Sequence, residues 1–370
     1  MARVKWLFVA VCGATVIVGR AVGITQAESP YVPPSSSEWA RIEPSKAGWN
    51  RAALEAALAY AGKARSSGVV VLLDGRIIAE RDWSVATSPA YSRLRIGMTP
   101  DGHAIEDVMS VQKSVVAFLA GIAEGKGQLN LSAPVSRYLG KGWSKANAAA
   151  ESSITVRHLM TMTSGLNDSV EYQRPAGTLW RYSTGAYSRT IEVLEKATDT
   201  DINTLTRDWL TTPLGMVDSR WVPRPWAAGD DTENSIGFVT TPRDLARFGL
   251  TVLAGGKWGG RDLLRNPGYL NRMLTPSQDL NPSYGLLWWL NGQSRIQFPE
   301  DARARSGSLI PGAPSDLVMM MGSGDKRCYV VSSLHVVVTR LGDLAEDTPA
   351  SLYFDDEFWR LLMKAAKPKA

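Results

Sequence analysis

The spacing of apolar and polar positions divides the chain into three stretches. Ala52 to Ala64 repeats alanine and leucine at helical spacing. Val69-Val70-Val71-Leu72-Leu73 and Arg76-Ile77-Ile78-Ala79-Glu80 read as two strands joined by an Asp74-Gly75 turn. From Ser110 to about Leu264 the patterns are mainly helical, broken by Gly/Pro loops, including a predicted helix over Ser188 to Ala197. Beyond Asp316 strand-like runs return at Leu317 to Met321, Arg327 to Val331 and Val336 to Arg340. Asp355 to Ala365 then closes as a helix. Strands at both ends with helices between predict an α+β fold: one antiparallel sheet built from both termini, flanked by helices, with a helical region inserted. The sheet region is assigned to residues 50–109 and 295–365, and the mainly helical region to 110–294.

The N-terminus has a different character. Met1 to Trp6 is short and basic, Leu7 to Gly19 is apolar, and Thr25-Gln26-Ala27 follows as a cleavage site. The apolar run is too short to span a bilayer, so residues 1–27 read as a signal peptide and predict a secreted or periplasmic protein. An uncleaved membrane anchor is the alternative, because only Arg20 interrupts a longer hydrophobic run. Residues 28–49, with the Pro30 to Ser37 segment, read as a linker. Once Arg3, Lys5 and Arg20 are removed, the formal charge falls from +5 to +2. No basic run is interleaved with aromatics, so nucleic acid is not an expected partner. No stable membrane insertion is expected after cleavage, and the oligomeric state cannot be read from the pattern. Only Cys328 remains in the mature chain, inside a strand-like run that marks it as a packed core residue. No pair of histidines or carboxylates has metal-ligand spacing, so neither a metal nor another cofactor is expected.

The candidate chemistry begins at Val108-Met109-Ser110-Val111-Gln112-Lys113-Ser114, the start of an apolar helix closed by Gly125 and Gly127. Residues three apart share a helix face, so Ser110 and Lys113 point into the same space. The helix dipole favours negative charge developing there. Burial by Val116, Ala117 and Phe118 favours a neutral amine, which can activate a hydroxyl nucleophile. The same spacing recurs at Ser323-Gly324-Asp325-Lys326, where flanking glycines argue against a helix. Of the three histidines, His158 falls in a helical start and His335 at a turn between strands. His103 lies in a loop ahead of Ser110 and is the one alternative base. A second cluster, Gly177-Thr178-Leu179-Trp180-Arg181-Tyr182-Ser183-Thr184-Gly185-Ala186-Tyr187, offers Tyr182 and Tyr187 either as acid–base phenols or as aromatic packing of a loop.

Six ordered segments resemble the serine β-lactamase and penicillin-binding-protein superfamily, in particular its class C-like esterase and 6-aminohexanoate-dimer hydrolase branch. They are the Ser110 segment, Ile154 to Leu166, Trp180 to Thr184, Pro213 to Met216, Thr241 to Gly249 and Tyr284 to Trp289. The resemblance runs from about residue 50 to 362. It implies that Ser110 is the acylated nucleophile, that Lys113 is its base partner, and that Tyr182 exchanges protons with the serine and the leaving group. It further implies an oxyanion hole made by the Ser110 N–H and an N–H on the third-motif strand.

Two positions depart from that pattern. Thr184 stands where the second motif usually carries an asparagine that holds a substrate amide. The third motif, usually Lys-Thr-Gly, is placed at Met320-Met321-Gly322, with Arg305-Ser306-Gly307 as the rival. Gly322, Ser323, Tyr187 and Thr184 are the further candidates for contacting substrate or the oxyanion. The resulting expectation is an exported serine hydrolase acting on a small ester or amide, with an apolar wall at Met320. The alternatives are a β-lactamase or D,D-peptidase proper, or a catalytically silent homologue that binds peptidoglycan fragments or a protein partner.

Overall fold

The computed structural model describes residues 30–35, 38–86, 88–230, 234–299, 303–345 and 352–366. The expected signal peptide at 1–27 lies outside the described residues. In chain order, helix α1 (Arg51–Lys63) leads into strands β1 (Ser66–Leu73) and β2 (Arg76–Asp82). Next come β3 (Arg95–Met98), β4 (Ala104–Asp107) and helix α2 (Val111–Gly125). Helix α3 (Thr184–Thr198), β5 (Arg220–Pro223), β6 (Ile236–Thr240) and α4 (Pro242–Leu253) follow. Strands β7 (Trp289–Leu290), β8 (Leu317–Gly322), β9 (Lys326–Val331) and β10 (Val336–Gly342) precede α5 (Tyr353–Ala365).

The β1–β2 turn is the predicted Asp-Gly pair, and both residues have positive φ, +47° and +80°, the geometry in which two residues reverse a twisted hairpin. Gly75 is required for a second reason: a Cβ there would lie 1.9 Å from the Tyr31 carbonyl oxygen. The two termini do build one sheet, in the antiparallel order β2-β1-β10-β9-β8-β7. One row of paired residues crosses it completely: Ala79, Val71, Val338, Tyr329, Met319 and Trp289. Successive strand residues face opposite sides. Tyr329 in this row meets Trp359 of α5 edge-on at 5.5 Å, whereas Cys328 in the next row lies 3.9 Å from the Leu245 carbonyl of α4. Helices therefore cover both faces, and α1 packs against α5.

The inserted region holds more strand than its sequence pattern suggests. A second antiparallel sheet, β3-β4-β6-β5, combines two strands before Ser110 with two from inside the insert. These strands have four or five residues each, too few for the period to register. Strand β7, with two residues, is shorter still. The two sheets are joined by a buried cluster. Lys326 Nζ donates to Glu106 Oε2 (3.0 Å) and to the Gly342 carbonyl, and Tyr91 donates to Glu106 Oε1 (2.7 Å). Burial by itself would raise the Glu106 carboxyl pKa, but Lys326, Ser67 and Tyr91 outweigh it and hold the group below the usual range. The second Ser-x-x-Lys is thereby accounted for: Ser323 is exposed in a hairpin turn, while Lys326 is an interior counter-ion.

Helix α2 is buried from Val111 through Ala123, apolar on nearly all sides as a central helix must be. It starts where β4 ends, so Ser110 sits at the junction of the second sheet and the core helix.

Candidate active site

At that junction the chain turns sharply. Met109 has φ +51° and Ser110 has φ −68°, ψ −8°. Ser110 occupies the N-cap position but makes no side-chain capping bond, so its hydroxyl is not committed to the helix. It is committed to Lys113: Nζ lies 2.9 Å from Ser110 Oγ and 3.4 Å from Thr184 Oγ1. The lysine side chain is almost fully buried. Drawn with a charged amine, Lys113 donates to Ser110. Loss of one proton lets the serine hydroxyl donate instead, which is the arrangement a general base requires.

Two aromatic rings bracket the amine. Lys113 Nζ lies 4.9 Å from the Tyr182 ring centre and 4.7 Å from that of Tyr187, both within cation–π range. Tyr182 is half-buried and stacks on Trp289 at 6.2 Å with planes 23° apart. Its loop is held by hydrogen bonds to Met162, Asn167 and Asp168. Arg181 N donates to the Met162 carbonyl (2.8 Å), Ser183 Oγ to the Asn167 carbonyl (3.1 Å), and Thr184 N to Asp168 Oδ1 (2.8 Å). Ser183 Oγ also caps α3 by accepting from Ala186 N, which starts that helix at Thr184 rather than at Ser188. The four residues Thr184 to Tyr187, whose pattern reads as loop, form its first turn.

Tyr187 requires a correction. It is fully buried beneath Lys113, and burial pushes its phenol far above the ordinary tyrosine range. It supplies a ring to the lysine and no surface to a substrate. Met320 requires another. It is fully buried and pairs with Cys328 on the face covered by α4, so it belongs to the core and not to an open wall. Gly322 does approach the nucleophile turn: a Cβ built there would lie 2.3 Å from the Val108 carbonyl oxygen and 3.2 Å from Val111 N. Its role is this close backbone approach. The rival third-motif residue, Arg305, is exposed and connected to the site through rings. Its guanidinium lies 5.7 Å from Phe298, which stacks on Trp289 at 5.9 Å, which in turn stacks on Tyr182.

The histidines are engaged elsewhere. His103 Nδ1 faces Asp82 (3.0 Å), and that hydrogen bond raises its pKa against the effect of burial. His158 Nδ1 accepts from Thr155 N, and His335 pairs with Asp74 (2.9 Å). Among the described residues no group of three or more His, Cys, Asp or Glu side chains could hold a metal ion. Asp107 and Arg224 form a buried ion pair and carry no motif or spacing that would have marked them in the sequence, whereas Gln112, which Arg224 also contacts, lies inside the Ser110 segment.

The sequence matches the family described as Beta-lactamase over residues 51–313, and the chain belongs to that family. Its fold is shared by a putative β-lactamase from Bacteroides dorei DSM 17855, with TM-score 0.64, 17% identity, and 86% of this chain and 99% of that one covered. A class C β-lactamase gives 0.61 and 15%, covering 86% and 95%. A putative 6-aminohexanoate-dimer hydrolase from Bacillus anthracis gives 0.59 and 13%, covering 90% and 88%. No curated protein matches the sequence.

Proposed function

We propose that this protein is an exported serine hydrolase that cleaves a small ester or amide through an acyl-enzyme on Ser110. The observation that carries the reading is the 2.9 Å contact between Lys113 Nζ and Ser110 Oγ in a buried setting. In the forward step Ser110 Oγ attacks the substrate carbonyl carbon while its proton passes to the neutral Lys113 amine, with Tyr182 sharing it. The tetrahedral oxyanion forms at the N-terminus of α2, where the Ser110 N–H and the helix dipole oppose its charge. Collapse breaks the carbonyl–leaving-group bond, and the leaving atom takes the proton from Tyr182 or Lys113. Water then repeats the sequence on the acyl ester, regenerating Ser110 and releasing the acid. Thr184 replaces the asparagine that would grip an amide, which favours esters.

A second reading, turnover of acid-bearing amides such as β-lactams, is favoured by the ring ladder that ties Arg305 to Tyr182. Arginine is suited to a substrate carboxylate. A three-substrate panel on the purified mature chain separates the two: p-nitrophenyl acetate, the 6-aminohexanoate dimer and nitrocefin. Ester cleavage with slow nitrocefin turnover is the expected result. Rapid nitrocefin turnover, lost in Arg305→Ala, with negligible ester cleavage would establish the second reading instead. Absence of turnover and of fluorophosphonate labelling would leave a silent binding homologue.

A further inference from the structure

Met109 and Gln112 flank the candidate nucleophile along the chain, and both are tied to one distant arginine. Arg224, in the segment after β5, forms a two-pronged ion pair with Asp107, Nε to Oδ2 and Nη2 to Oδ1, each at 2.6 Å. Both side chains are at most 3% exposed. The same Nη2 donates to Gln112 Oε1 (3.0 Å), which also accepts from Phe238 N (3.2 Å). Asp107 Oδ1 in turn accepts from Met109 N (2.9 Å). A methionine at φ +51° costs about 1–2 kcal/mol in backbone strain, so it persists only where its surroundings hold it. The Asp107 carboxylate on its amide is one such restraint, and the two-pronged contact with Arg224 fixes the orientation of that carboxylate. The pair rests on Gly237 of β6, where a Cβ would lie 2.2 Å from Asp107 Oδ2 and 2.6 Å from Arg224 Nε. Backbone and ion pair have been brought as close as the chain allows.

We infer that Arg224 and Asp107 are positioning residues for Ser110: they hold the Met109–Ser110 turn in the geometry from which Oγ attacks. The inference rests on the serine-hydrolase reading above and extends it to groups that touch no substrate. A displacement of about 1 Å at a reacting atom is enough to cost on the order of 100-fold in rate. Acylation and deacylation both pass through a tetrahedral intermediate on Ser110 Oγ, so the displacement slows the two steps together: kcat falls, while KM, which depends on substrate binding and on the ratio of the two rates, stays.

The test uses the full mature chain and the paired replacement Asp107→Leu with Arg224→Met. It removes both charges together and leaves neither ion buried alone, the condition under which such a pair can be lost without unfolding. Three quantities are read: kcat and KM for p-nitrophenyl acetate, the second-order rate of fluorophosphonate inactivation, and the unfolding midpoint. The expected result is a folded protein with kcat and inactivation rate both lower by at least ~30-fold and KM within ~3-fold of wild type. A folded double variant whose kcat and inactivation rate stay within ~3-fold of wild type overturns the inference, as does a change confined to KM. If the double variant does not fold, Gly237→Ala decides the matter. It keeps every charge and pushes only on the ion pair, and it is expected to lower kcat without raising KM; an unchanged kcat in the folded protein overturns the inference. Ser110→Ala is assayed beside them. If it is dead while the double variant is unaffected, only the positioning role falls. If it retains full turnover, the serine reading falls and takes the positioning role with it.

Discussion

Lys113 Nζ stands 4.7 Å from the ring centre of Tyr187, whose own hydroxyl is buried with no hydrogen-bond partner at normal distance among the described residues. The ring therefore serves the lysine, and the hydroxyl is left with a weak interaction with the Gln112 side chain. Tyr187→Phe is expected to leave ester turnover within ~3-fold of wild type. It should leave stability within about 1 kcal/mol of wild type, because the buried hydroxyl it removes makes no hydrogen bond at normal distance and only a weak interaction with Gln112. Steady-state kinetics and an unfolding curve check both halves. A crippled Tyr187→Phe would show that this phenol, and not Tyr182, carries protons.

Ser110→Ala should abolish turnover and fluorophosphonate labelling in a protein that still folds, with stability lower by about 1–3 kcal/mol because the buried Lys113 amine loses the oxygen it donates to. The serine makes no capping bond, so the usual cost of about 1 kcal/mol for losing a cap does not apply. Full activity in this variant would eliminate the proposed nucleophile.

Lys113→Ala and Tyr182→Phe are each expected to lower turnover by at least ~100-fold, the scale of a lost positioned acid or base. The double variant should be little worse than the poorer single one, since both groups act on one shared proton. Fully multiplicative losses would mean that the two side chains do separate work.

At Gly322 any side chain meets backbone, which cannot swing aside. Gly322→Ala is expected to destabilise by about 1–3 kcal/mol, the range of an overpacked core, and to slow acylation by displacing Val108 and Val111 beside Ser110. Gly97→Ala on β3 is the control: its Cβ meets nothing within 4 Å, and both quantities should stay near wild type. Equal behaviour of the two variants in thermal unfolding would remove the close-approach argument.

Asp244 supplies a pH signature. Burial pushes its carboxyl up to about 7, against the bonds it accepts from Ser219 Oγ (2.8 Å) and Asp218 N (2.9 Å). A folded-state pKa above the unfolded one means that the native chain holds the proton longer. The stability linked to that proton is present below about pH 4 and is lost as pH rises toward 7. Unfolding free energies of wild type and Asp244→Asn, measured from pH 4 to 8, should therefore diverge in favour of the variant as pH rises, then run parallel above about pH 7. A constant difference across the range would contradict the raised carboxyl.

Much of this protein is local and legible in its sequence. The Asp74-Gly75 turn, the strands on either side of it, helix α2 and the Ser110–Lys113 pair depend on neighbours within a turn or two. Backbone geometry alone then dictates which side chains meet. Other features depend on residues more than a hundred positions apart. Arg224 reaches Asp107 and Gln112 only because β5, β6 and β4 pair, and four-residue strands carry too little period to announce that pairing. Helix α3 begins at Thr184 because Ser183 caps it, a choice that Gly185 disguises. Met320 reads as a wall in the sequence because an apolar residue in a strand faces either a cleft or the core. Sequence supplies the polarity, but only the packing of β8 against α2 decides the side. Chemistry confined to one helical turn is written in the chain, and the tertiary structure decides what holds that turn in place.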